Sequence, residues 1–76
     1  MLEHLKNPNV IEERPNGELA VNLTNLAVLT KTPITRQNLG YLSILVQRHF
    51  KRFAPDAECR LETDRRLIIP AAVPNN

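Results

Sequence analysis

The sequence predicts a small α+β domain in the order β-β-α-β-β, with one long amphipathic helix packed on a small antiparallel sheet. Three observations carry this reading. Pro15-Asn16-Gly17 separates two short runs of strand character. Apolar residues at three- and four-residue spacing run from Leu39 to Phe53. A second pair of short runs, 58–62 and 66–70, follows the break at Ala54-Pro55. A helix laid across a small sheet buries the apolar face of each.

The chain has 76 residues and reads as one domain over 1–76, with frayed ends at 1–9 and 71–76. Met1–Lys6 can form one helical turn, and Asn7-Pro8-Asn9 breaks it. At this size, apolar burial only narrowly exceeds an ordering entropy of about 1.5 kcal/mol per residue. Leu, Ile and Val dominate the 42% of apolar residues, so the core is expected to be aliphatic. Small domains often gain stability from a second copy or a partner, so a homodimer is a natural expectation.

Val10–Arg14 reads as the first strand. Pro15 presets φ, and Asn16 and Gly17 tolerate positive φ, so the chain can reverse there. Leu19, Val21 and Leu23 alternate against Asn22, which makes 10–23 a hairpin. Thr24–Lys31 reads either as a short helix capped by Thr24 or as an irregular crossing. The main helix is predicted over Pro33–Phe53, with Thr32 as N-cap and Pro33 in the first turn, where its missing N–H is harmless. Leu39, Leu42, Val46, Phe50 and Phe53 form its apolar stripe, broadened by Ile34, Tyr41 and Leu45. Ser43 and Gln47 fall on the polar side. Gly40 lies inside the helix, at a cost of up to about 1 kcal/mol relative to Ala. In the second hairpin, a Thr63-Asp64-Arg65 loop sets Leu61 opposite Leu67, Cys59 opposite Ile69 and Glu62 against Arg66.

The chemistry-bearing residues are few. Cys59 is the only cysteine, His4 and His49 the only histidines and Ser43 the only serine. Cys59 reads as a buried inert thiol and His49 as a structural histidine beside the apolar stripe. Glu12, Glu13 and Glu18 flank the first turn as a solvated edge. No metal-ligand spacing, phosphate loop or nucleophile–base pairing is present, so the chain reads as a non-enzyme without cofactor or metal. No long apolar run and no signal-peptide pattern are seen, which points away from a membrane and towards a cytoplasmic setting.

Charge is more informative. From Leu19 to Pro55 there is no acidic residue, while Lys31, Arg36, Arg48, Lys51 and Arg52 give that stretch a formal charge of +5. The flanks are acidic, so the net charge is only +2. Cations in a last helical turn complement the helix dipole in many proteins. A basic segment also suits an anionic partner.

Two function classes follow. The first is a non-enzymatic protein-binding regulator or adaptor, of bacterial or phage type. It would act through sheet edges and a basic surface of Arg48, Lys51 and Arg52 with Arg65 and Arg66, which would meet an acidic protein. The second is a winged-helix-like nucleic-acid-binding protein. Arg36, Gln37 and Asn38 would then begin the reading helix and the second hairpin would be the wing. The run Leu42–Ile69, with Phe53-Ala54-Pro55-Asp56 between helix and hairpin, resembles the helix–hairpin part of the small DinI-like proteins that regulate the RecA recombinase. That family continues into an acidic helix whose pattern is not found after Ile69. The resemblance implies no site residue here.

Overall fold

The computed structural model describes residues 2–53 and 55–71. Four strands form one antiparallel sheet: β1 (Ile11–Glu13), β2 (Leu19–Asn22), β3 (Arg60–Thr63) and β4 (Arg66–Ile69), in the spatial order β1-β2-β4-β3. Two helices, α1 (Leu23–Leu29) and α2 (Arg36–Lys51), separate the hairpins and pack on one face of the sheet against β4. The architecture is the α+β arrangement expected, with the ambiguous segment after β2 resolved as a helix.

The first hairpin closes as its turn residues dictate. Arg14 and Glu18 are joined by a backbone bond of 2.8 Å, and the Gly17 N–H donates to the Arg14 carbonyl at 2.9 Å. Gly17 has φ +86°, the left-handed residue that a three-residue hairpin loop requires. A Cβ there would also come within 3.1 Å of the Ala71 Cβ.

α1 is capped by Asn22, the last residue of β2, whose side-chain oxygen accepts from the Asn25 N–H at 2.9 Å. Thr24 is therefore inside the helix and is not its cap. The Thr24 hydroxyl is buried and has no hydrogen-bond partner among the described residues. α1 ends in a Schellman motif. The Thr32 N–H bonds the Ala27 carbonyl at 2.8 Å and the Lys31 N–H bonds that of Val28 at 3.2 Å, with Lys31 at φ 55°.

That closure explains where the sequence reading of α2 fails. Thr32 is occupied in ending α1, and its hydroxyl lies 2.9 Å from that of Thr30. The helix instead starts three residues later, capped by Thr35, whose hydroxyl accepts from the Asn38 N–H at 3.1 Å. Pro33 and Ile34 lie outside it. At the other end α2 stops at Lys51, so Phe53 falls beyond the helix and is 75% exposed.

The core is one cluster. Leu39, Leu42 and Val46 of α2 and Leu23, Leu26 and Ala27 of α1 meet Val21, Leu67 and Ile69 of the sheet, with Val10 and Leu5 at its margin. Removing a buried leucine such as Leu26 or Leu42 costs about 2–5 kcal/mol. Leu5 belongs to a 3₁₀ turn over Leu2–Lys6. The pattern reads 1–9 as frayed, yet Leu5 is buried and Asn25 donates to the Asn9 carbonyl at 2.6 Å, so this segment covers one edge of the core. Residues 72–76 of the other expected frayed end lie outside the described residues. Ser43, read as polar-facing, is buried and accepts from Gln47 at 3.0 Å. Ile34 and Tyr41, read as widening the stripe, are exposed: Ile34 precedes the helix, and Tyr41 lies on the side of α2 turned from Leu39, Leu42 and Val46.

The second hairpin keeps the expected Leu61–Leu67 pairing by a different route. Asp64-Arg65 form a two-residue turn, Thr63 pairs with Arg66, and a bulge at Glu62 restores the register. Leu61 is nonetheless exposed, because β3 is an edge strand at the margin of the helix layer.

Candidate partner-binding surface

The two faces of the sheet handle charge differently. On the face away from the helices, Arg14 makes a two-point contact with Glu62 at 2.7 and 2.8 Å. Arg66 adds a third bond to Glu62 at 3.2 Å, and Arg60 reaches Glu18 at 3.0 Å. Arg14 follows one edge strand and Glu62 lies on the other, so the pair bridges the two central strands. Beneath them, on the same face, Ala20 and Ile68 are buried. The hydrogen bonds from Arg14 and then Arg66 hold the Glu62 carboxyl at about 2. Arg60, and after it Asn16, lower that of Glu18. Glu18 is thus not part of a solvated edge with Glu12 and Glu13.

The cations of the acid-free stretch are arranged otherwise. Arg48 and Lys51 stand in the last turn of α2 and Arg52 is its C-cap, all exposed. Arg36 opens the helix, and Lys31 sits in the α1–α2 connection. Among the described residues none of these five has a carboxylate within ion-pair distance. The dipole of α2 accounts for cations at its C-terminal end. It does not account for Arg36 at the opposite end, nor for the absence of any acid from the first turn.

The structure divides the five residues expected to act together. Arg48, Lys51 and Arg52 cluster at the end of α2, where Phe50 lines one surface cavity with Leu19 at the start of β2. Arg65 and Arg66 lie at the other end of that strand. Arg66 pairs with Asn22, and the Arg65 carbonyl accepts from the Leu23 N–H at 2.9 Å. Arg66 is also held by Glu62 on the opposite face. Of the three residues at the start of α2, Arg36 and Gln37 are exposed, whereas the Asn38 amide donates to the Pro33 carbonyl at 2.9 Å. The free sheet edges are short. β1 has three residues with Glu12 and Glu13 exposed, and β3 is bulged, two features that hinder strand addition.

The remaining reactive groups do not converge. His49 sits edge-on to Phe50 and Phe53, with ring centroids 5.2 and 5.5 Å away. Cys59 is half-buried against the core, and that burial raises its thiol pKa against the opposing charge of Lys51. Among the described residues no group of three His, Cys, Asp or Glu side chains is placed to hold a metal. No helix among them is long and apolar enough to cross a membrane. The hairpin reading set Glu62 against Arg66, which do form an ion pair, but no local signal brought in Arg14, which is 48 positions from Glu62. No family model, curated protein or solved structure matches the chain.

Proposed function

We propose that the protein is a non-catalytic binding module, a small regulator or adaptor that engages an acidic surface of another protein through α2. The observation that carries this reading is the division of the cations. Arg14, Arg60 and Arg66 are paired with Glu62 and Glu18 on the sheet, whereas Arg36, Arg48, Lys51 and Arg52 on α2 have no internal carboxylate among the described residues. Unpaired like charges on one helix repel each other, and an external anion relieves that repulsion. A protein fits better than a nucleic acid. Asn38, one of three residues placed to read bases, is spent on the helix start, and the outward side of α2 carries exposed Tyr41 and Ile44 where a reading helix needs polar groups.

Affinity capture from source-cell lysate, with and without nuclease, tests the reading. The wild-type chain should retain a protein after nuclease treatment, and the Lys51→Glu/Arg52→Glu chain should lose it. Capture that disappears with nuclease would favour the winged-helix reading, and capture unaffected by the double reversal would reduce the cluster to a helix cap.

A further inference from the structure

Midway along α2, the side turned from the core has a feature that the fold does not use. Gly40 and Ile44 are one turn apart and Tyr41 stands beside them. Tyr41 is 60% exposed and Ile44 50%. A Cβ on Gly40 would meet nothing within 4 Å. Its φ lies outside the positive range, unlike that of Gly17. Neither packing nor backbone conformation therefore calls for glycine at position 40, and alanine is the better helix former. Glycine suits a place where another backbone comes close. Here two large apolar side chains beside it are left uncovered.

We propose that this side of α2 docks one amphipathic, acidic helix of another protein. Aliphatic side chains of that helix sit over Gly40 and against Ile44 and Tyr41 beside it, and its carboxylates reach Arg48 and Lys51. The inference rests on the protein-binding reading above and specifies the shape and chemistry of the partner. Charge selects the occupant. α2 carries no carboxylate at all. A second copy laid antiparallel on the same side would bring Arg36 towards Arg48 and Lys51 of its mate, and a parallel copy would stack like on like. An acidic helix relieves the repulsion from both ends. The 16 residues of α2 span about 24 Å, room for a partner of about four turns.

The probe is a labelled synthetic helical peptide of about 18 residues. It carries two leucines one turn apart at its centre, flanked by glutamates. A second peptide replaces both leucines by alanine, and an unlabelled single-stranded oligonucleotide serves as competitor. Anisotropy titrations should show the alanine peptide binding about tenfold more weakly or worse. Tyr41→Ala/Ile44→Ala should weaken the leucine peptide by a similar factor while leaving the slope of log affinity against log salt unchanged. Gly40→Ala should raise Tm by about 4–8 °C and yet weaken binding, a combination that a purely structural role would not produce. Equal affinity for the two peptides, or unchanged binding in both the Gly40 and the Tyr41/Ile44 variants, would overturn the proposal. If Lys51→Glu/Arg52→Glu abolishes binding under those circumstances, the protein-binding reading survives without it. If the oligonucleotide displaces the peptide and its own binding ignores Tyr41 and Ile44, both fail.

Discussion

Lys31 occupies a backbone position that most side chains avoid. With φ 55° it is the left-handed residue of the motif that ends α1, where glycine or asparagine is usual. A β-carbon in that conformation costs about 1–2 kcal/mol. Lys31 is exposed and makes no ion pair among the described residues, so no contact offsets the strain. Lys31→Gly should therefore stabilise the fold by about 0.5–1 kcal/mol, the gain from relieved strain less the added freedom of the unfolded chain. Urea denaturation reads this as a higher midpoint at unchanged slope. A lower midpoint would show that the lysine side chain has a structural role that the geometry does not reveal.

At the scale of elements, periodicity revealed α2 and turn chemistry the first hairpin, because both are local signals, whereas the second hairpin turns at Asp64-Arg65 and not through the expected Thr63-Asp64-Arg65 loop. Leu39, Leu42 and Val46 face the core as their spacing requires, and Gly17 turns the chain where Pro15-Asn16-Gly17 said it would. The helix start was misplaced for a physical reason. Thr32 and Thr35 are both capping residue types, and the choice between them is made by the end of α1, where the Thr32 hydroxyl is engaged with that of Thr30. α1 was ambiguous because its cap, Asn22, belongs to a strand. Of the sheet's outer lattice only the Glu62–Arg66 pair is legible in the sequence, because Arg14 and Glu62 stand 48 positions apart. That lattice has a pH signature. The Glu62 carboxyl is held at about 2 against an ordinary 4.5, and that of Glu18 is lowered too. Both bind protons more readily in the unfolded chain, so their contribution is complete above about pH 4.5 and is lost as pH falls towards 2. Thermal melts should show Tm dropping across that window. Glu62→Gln should have a lower Tm than wild type at pH 7 and a shallower drop below pH 4.5. Parallel curves for the two proteins would mean that the lattice is too well screened by solvent to matter.

For the whole molecule, the net charge of +2 is a poor guide, because it averages two unlike populations of cations. The acid-free stretch was legible in the sequence. Which cations remained unpaired was not, since that depends on strands brought together by the fold. Arg14 and Arg52 separate the populations. Each reversal to glutamate lowers the net charge by the same amount, so any effect of overall charge is matched. Arg14→Glu would place a carboxylate beside Glu62, leaving Arg66 alone to offset it. It should lower Tm while changing affinity for the acidic leucine peptide by no more than about twofold, since Arg14 lies on the face away from α2. Arg52→Glu breaks no internal pair, and exposed charges of that kind alter stability by only about 0.5 kcal/mol. It should leave Tm nearly unchanged and weaken the peptide, with the loss shrinking as salt shortens the screening length below about 8 Å. If both variants weaken binding equally, the partner responds to total charge and α2 is not its site. If neither does, the unpaired cations of α2 serve only its dipole, and the binding surface lies elsewhere on the molecule.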